Sequence, residues 1–279
     1  MNRSSPPAAN AAAPRPPSIL GRFAQAAASG LSRDELVRLL TGQHRFPRPD
    51  WWRAMAWRWL IRRLPVGDVF RLIHAKNIWS SAESISGGGS TLQQTQHLRQ
   101  QLPGLLRHLQ VQRLLDLPCG DFHWMSQVDL TGIDYVGADI VPDLVAETKR
   151  RHGRPGFEFI YLDLINDPLP AADAVLCRDC LVHLPNAMVT QALANLRRSS
   201  ASYLLATSFP AHTANSDIEP GRWRPINLQA PPFCLPEPLL VVHEGNPETQ
   251  YGDKMLGVWR LADLPQAPSR PHAESEQKK

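Results

Sequence analysis

From Val111 onward the sequence alternates short β-rich runs with helical stretches, and this alternation limits the possible folds more than any other feature. The runs Arg113–Leu117, Tyr135–Ile140, Phe157–Leu162, Ala174–Cys177 and Tyr203–Thr207 predict strands. Between them, Phe122–Val128, Pro142–His152 and Asn186–Ser199 read as helices. Strands joined through helices pair in parallel, with the helices packed on both faces of the sheet. The rhythm breaks at Ser208–Pro238, which holds seven prolines and reads as an irregular insertion. Two further runs, Leu239–Glu244 and Met255–Leu261, flank the polar segment Gly245–Lys254 and predict an antiparallel hairpin.

The region before Val111 is organised differently. Met1–Ser18 carries five prolines and many alanines, a composition that cannot bury a core. Residues 19–78 read as a basic helical extension. Ser32 and Glu35 form a capping box for Arg33–Leu40, and Asp50 caps Trp51–Leu64, which Pro65 ends. Thr91 with Gln94 predicts a capping box for a helix over Thr91–Leu109. The resulting division is 1–18, 19–78, 79–265 and a disordered tail, 266–279.

Composition removes whole classes of protein. Of 279 residues, 43% are hydrophobic and 20% charged, which suits a globular chain and not a disordered one. No apolar run reaches the ~18 residues that a membrane-spanning helix needs. Four cysteines are too few for a disulfide scaffold, so a cytoplasmic location is expected. An organelle transit peptide is the alternative reading of the Arg-, Ser- and Ala-rich first 33 residues. The net charge of +4 is uneven: residues 1–80 hold 13 Lys/Arg against 4 Asp/Glu, a balance of +9, and the rest is acidic. Nucleic acid, a membrane surface and the chain's own acidic domain are all possible partners for that basic segment; the last is preferred.

In an open α/β sheet the ligand sits beyond the carboxyl ends of the strands. After the first strand comes Asp116-Leu117-Pro118-Cys119-Gly120-Asp121, with Gly120 for close backbone approach and two acids that favour a cationic ligand over a pyrophosphate. No G-x-G-x-x-G is present, which argues against a nicotinamide or flavin dinucleotide. Asp139-Ile140 follows the second strand, placed to accept hydrogen bonds from ribose hydroxyls. Asp163-Leu164 follows the third, placed to accept from a purine amine. Arg178-Asp179-Cys180 and His183 follow the fourth.

This series resembles the motifs of class I S-adenosylmethionine-dependent methyltransferases over about residues 79 to 264. It looks closest to a largely uncharacterised bacterial group, on Trp79–Ser84, Ser86–Ser90, Leu115–Met125, Cys177–Leu184 and Arg222–Leu228. The resemblance implies a Rossmann-like, seven-stranded, mostly parallel sheet with a terminal antiparallel hairpin. It implies S-adenosylmethionine as cofactor, with Asp116–Asp121 beside its methionine part, Asp139 on the ribose, Asp163 and Leu164 on the adenine, Ile140 with Leu164 lining the ring faces, and Arg178 nearby. Pro118 and Phe122 depart from the family's glycine-rich turn, so the loop must differ locally.

The expected reaction is methyl transfer to a small-molecule or sugar-like acceptor. Asp179 is expected to orient the acceptor or the cofactor amine, and His183 is either the base or a helix-terminal residue facing away from the site. Arg222-Trp223-Arg224 suits an anionic or sugar-like acceptor, or else pins a rigid loop. Trp79–Ser90 is either a lid or a linker. Cys177 and Cys180 share a C-x-x-C spacing, but Cys177 ends an apolar strand and reads as a buried thiol; no second ligand pair accompanies them, so no metal is expected. A nicotinamide-dependent oxidoreductase and a non-catalytic module docking on nucleic acid or membrane are the competing classes.

Overall fold

A computed structural model of the chain describes residues 61–245 and 251–265. The expectations for the Ala/Pro segment, for the helices over Arg33–Leu40 and Trp51–Leu60, and for the tail after residue 265 lie outside the described residues.

Seven strands form one sheet: β1 (Arg113–Asp116), β2 (Asp134–Asp139), β3 (Phe157–Tyr161), β4 (Ala174–Cys177), β5 (Tyr203–Ser208), β6 (Leu240–His243) and β7 (Met255–Arg260). Their spatial order is β3-β2-β1-β4-β5-β7-β6. The first five are parallel, and β7 pairs antiparallel with both β5 and β6. This is the Rossmann-like architecture with a closing antiparallel hairpin that the sequence predicts. Because β2 lies on one side of β1 and β4 on the other, the chain reverses direction across the sheet at β1, where a crevice opens.

Alternate residues of each central strand enter opposite cores, as the period of a strand requires. Leu115, Val136, Val175 and Leu204 face one core, which contains Val189, Leu193 and Leu196 of the helix Asn186–Arg198. Leu114, Tyr135, Leu176 and Leu205 face the other, against Leu98, Leu102 and Leu106 of the helix Gln96–His108. Among the described residues the α-helices, in chain order, are α1 (Val66–Lys76), α2 (Gln96–His108), α3 (Pro142–His152) and α4 (Asn186–Arg198). Asp173 fixes the start of β1, its Oδ2 accepting the amides of Gln112 and Arg113 at 2.8 Å each.

Three elements differ from the sequence reading. The helix predicted over Phe122–Val128 is instead a turn with one 3₁₀ turn, Met125–Gln127. Phe122 has φ +58°, a left-handed conformation that breaks an α-helix, and it places its ring against Tyr135, Phe157 and Phe159. The long helix starts at Gln96, not Thr91. The Thr91 hydroxyl accepts from the Gln94 amide at 3.3 Å, closing a turn before the helix. Finally, α1 was missed: Pro65 opens a helix as well as ending one. Val66, Val69, Phe70 and Ile73 recur at helical spacing after it, with Asp68 in the first turn.

Candidate active site

The loops at the carboxyl ends of β1, β2 and β4 converge on one cavity, with about 120 Å³ of space for a ligand's atoms to enter. Asp116, Pro118, Cys119, Gly120 and Asp121 line it from β1, Asp139 and Ile140 from β2, and Arg178, Asp179, Cys180 and His183 from β4. Two residues expected there are absent from the lining, Asp163 and Leu164. The Asp163 carboxylate is used by its own turn, accepting from the Ile165 amide and the Asn166 side chain at 2.8 Å. Leu164 is buried in the core, its carbonyl accepting from Asn195.

The first turn is built around Gly120. Its φ is +55°, and a Cβ there would run into Ser86 Oγ. Its amide donates to Asp139 Oδ2 at 3.2 Å, and the Val141 amide donates to Asp139 Oδ1 at 3.0 Å. Asp139 is thus fixed by backbone donors while lone pairs remain for a ligand. Burial raises its carboxyl to about 6, more than these donors lower it. Burial also raises Asp116 to about 7, although the Tyr135 hydroxyl donates to it at 2.6 Å.

Asp121 lines the cavity and also holds a neighbouring segment in place. It accepts from Ser84 Oγ and the Ile85 amide at 3.0 Å each, and from Ser86 Oγ at 3.3 Å. The segment Trp79–Ser90 is therefore fastened as a wall of the cavity, to which it contributes Trp79, Ile85, Ser86 and Ser90. Glu83 adds a second tether, accepting from the Leu92 amide at 2.7 Å and pairing with His123 at 2.9 Å. Arg178 adds a third, donating to the Gly89 carbonyl at 2.9 Å.

Arg178 is buried and its charge is matched inside the protein. It pairs with Glu244 at 2.6 Å and Asp179 at 3.1 Å, and lies 5.2 Å over the Trp124 ring. Burial opposes its charge, but Glu244 and Asp179 outweigh that and raise it. Lys254, which the sequence reading did not single out, donates to Asp179 Oδ2 at 2.7 Å. Burial alone would raise the Asp179 carboxyl; Lys254 and Arg178 overcome this and hold it well below the usual carboxylate range. Asp179 has φ +51° and its amide donates to Thr207 Oγ1 at 2.8 Å, which fixes the carboxylate's direction.

His183 stacks on Trp79, with ring centroids 4.7 Å apart. Its Nδ1 lies 3.0 Å from the Arg222 carbonyl. A carbonyl only accepts, so Nδ1 carries the proton and Nε2 bears the lone pair of the neutral ring. Burial lowers the imidazole below its ordinary value, favouring that neutral form. Arg224, read as an acceptor contact or a loop pin, is a pin. It is 3% exposed and donates to the carbonyls of Ser216, Leu181 and Leu184 and to Asn186 Oδ1. Cys177 is fully buried and unpaired, and its thiol is pushed up.

Phe70 and His74 of α1 complete the lining, together with Trp124, Val141 and Leu144. Helix α1 rests on Ile140 at Gly67 and on Gly221 through Val69 and Ile73. The signal for it was present in the sequence as the apolar spacing after Pro65.

The lining residues from Asp116 to His183 lie in a stretch with a known counterpart. Residues 115–201 match the family model described as a methyltransferase domain. No curated protein matches the chain. Among solved structures, human N-acetylserotonin methyltransferase in complex with SAM is 18% identical, with a TM-score of 0.37 over 52% of this chain and 42% of that one. Magnesium protoporphyrin IX methyltransferase from Synechocystis PCC 6803, with bound SAM, is 16% identical, with a TM-score of 0.41 over 55% of this chain and 81% of that one. The methyltransferase domain of bacterial CtHen1-C is 12% identical, with a TM-score of 0.47 over 60% of this chain and 98% of that one. The chain thus spans less than half the length of the human enzyme it is similar to.

Proposed function

We propose that this chain is a class I methyltransferase that transfers a methyl group from S-adenosylmethionine to a small-molecule acceptor. The observation that carries the reading is that one cavity gathers Gly120, Asp139 and Asp179 from the stretch that matches a methyltransferase domain. The residues fit the cofactor chemically. Gly120 leaves backbone room that a Cβ would fill, Asp139 retains acceptor capacity for ribose hydroxyls, and Asp116 and Asp139, when ionised, favour a cation. S-adenosylmethionine supplies an electrophilic methyl group on a cationic sulfur.

The chain's own residues do the rest. Asp139 would hold the ribose and Ile140 would line a face of the purine ring; Asp116, Pro118, Cys119, Gly120 and Asp121 would border the methionine part. Asp179 orients the acceptor or the cofactor amine, and His183 takes the acceptor's proton at Nε2. The neutral Nδ1–H tautomer held by Arg222 supports that role. Unpaired cysteines suit a reducing compartment, and we place the chain in the cytoplasm.

Calorimetry tests the reading. The protein is expected to bind S-adenosylmethionine and its demethylated product, S-adenosylhomocysteine, and not NAD. Gly120→Ala is expected to weaken cofactor binding at least about tenfold, because the new Cβ meets Ser86 Oγ and the left-handed backbone disfavours Ala. Tight NAD binding without binding of either methyl-cycle ligand would overturn it.

A further inference from the structure

We propose that the end of the cavity formed by Phe70, Trp79, Asp179 and His183 selects by charge, taking an apolar-bodied, ring-bearing acceptor that is uncharged or cationic and rejecting anions. The proposal rests on the methyl-transfer reading and narrows its substrate class.

The first observation is where the cations are. Among the described residues, the cations buried at this end already have their counter-charge or acceptors inside the protein, while Arg222, whose carbonyl holds His183, has a side chain 58% exposed and 3.5 Å from Glu219. Arg178 is held by Glu244, Asp179 and the Gly89 carbonyl. Lys254 is 12% exposed and paired with Asp179 at 2.7 Å and Glu244 at 3.7 Å. Arg224, the residue best suited by type to an anionic acceptor, points into its own loop and meets four acceptors there. An incoming carboxylate or phosphate would have to break one of these buried pairs, leaving a charge unmatched, or remain unpaired itself.

The second observation is what the lining does offer. Asp179 Oδ2 takes both Lys254 and Arg178, whereas Oδ1 has only a long contact, 3.4 Å, with Thr207 Oγ1 among the described residues. Oδ1 can therefore accept from a ligand donor. His183 Nε2 is a second acceptor, fixed in direction by the Nδ1 contact with Arg222 and by the Trp79 stack. Two acceptors together specify a ligand that brings O–H or N–H groups. Around them the walls are rings: Trp79 over His183, and Phe70 edge-on to Trp79 with centroids 6.3 Å apart. Such walls suit a ring body and give nothing to an anion, since aromatic faces attract positive charge.

The test uses three small phenols of similar shape and different charge: tyramine, p-cresol and p-hydroxybenzoate. Each is titrated into the full-length protein loaded with S-adenosylhomocysteine, and binding is read by ligand-observed NMR and calorimetry. Tyramine and p-cresol are expected to bind on the order of tenfold or more tighter than p-hydroxybenzoate. In Asp179→Asn the preference of tyramine over p-hydroxybenzoate is expected to shrink, and in Trp79→Ala binding of all three is expected to weaken. Equal or tighter binding of p-hydroxybenzoate overturns the proposal, as does binding of none of the three to loaded protein. The wild-type comparison stands even if a variant fails to fold. Failure of S-adenosylhomocysteine itself to bind is a different result, because it removes the methyl-transfer reading on which the proposal rests.

Discussion

His183 acquires its proposed role from two neighbours. An imidazole at pH 7 interchanges tautomers and protonation states. Here the Arg222 carbonyl fixes the proton on Nδ1, and burial keeps the ring neutral. His183→Ala is expected to lower turnover by about 10²- to 10⁴-fold, the usual contribution of a general base. Affinity for S-adenosylhomocysteine should be unchanged. Label incorporation from methyl-labelled S-adenosylmethionine in a cell extract, alongside calorimetry, separates the two effects. Full turnover in the variant would remove His183 as the base. The residue was legible in the sequence as a histidine shortly after the fourth strand. Its tautomer was not, because Arg222 is 39 positions away along the chain. Lys254 was missed for the same reason: nothing in the local sequence links it to Asp179, 75 positions away.

At the scale of elements, the proline-rich insertion is organised by Arg224. Its guanidinium collects acceptors from Leu181, Leu184, Ser216 and Asn186, so it ties the insertion to the loop after β4 and to the first residue of α4. Arg224→Ala is expected to cost ~3 kcal/mol or more, because several buried carbonyls lose their donor together. Lys would restore little, since a single ammonium cannot replace a planar fork. Urea unfolding of the two variants checks both statements; a loss below ~1 kcal/mol would mean that water replaces the guanidinium. The strands of the central βα rhythm were legible, since burial on both faces forces apolar runs separated by amphipathic helices. The predicted helix after β1 failed because Phe122 is pulled into an aromatic cluster by tertiary packing. Helix α1 was passed over because proline marks both starts and stops.

For the molecule as a whole, the buried acids set how stability varies with pH. Asp116 and Asp139 titrate at about 7 and about 6 in the folded chain, against 3.8 for an unperturbed carboxyl. The folded state therefore binds more protons than the unfolded state between those values. The stability they contribute is present at the acid end of that window and is lost as pH rises through about 6 to 7. Asp179 acts in the opposite sense. Its contribution is present above 3.8 and lost only as pH falls below that, through its depressed folded value. His183, lowered by burial, adds stability as pH rises towards 6.5, so the ligand-free protein is expected to melt at a falling temperature as pH is raised from roughly 6.5 to 7.5, and Asp116→Asn should flatten the slope. A melting temperature that rises over that interval would contradict the assignment. S-adenosylmethionine should bind more tightly towards the alkaline end, where both carboxylates are ionised and attract its positive charge.

The sequence by itself determined the parallel sheet, its antiparallel close and the acids and glycine at the strand ends. Those follow from local periodicity and from where each strand stops. Tertiary structure alone decided which of the acids face the cavity. Asp116, Asp121, Asp139 and Asp179 do, Asp121 while also holding the Ser84–Ser86 wall, whereas Asp163 caps its own turn. A carboxylate's task depends on which donors reach it first, and those donors are brought by segments far away in the chain.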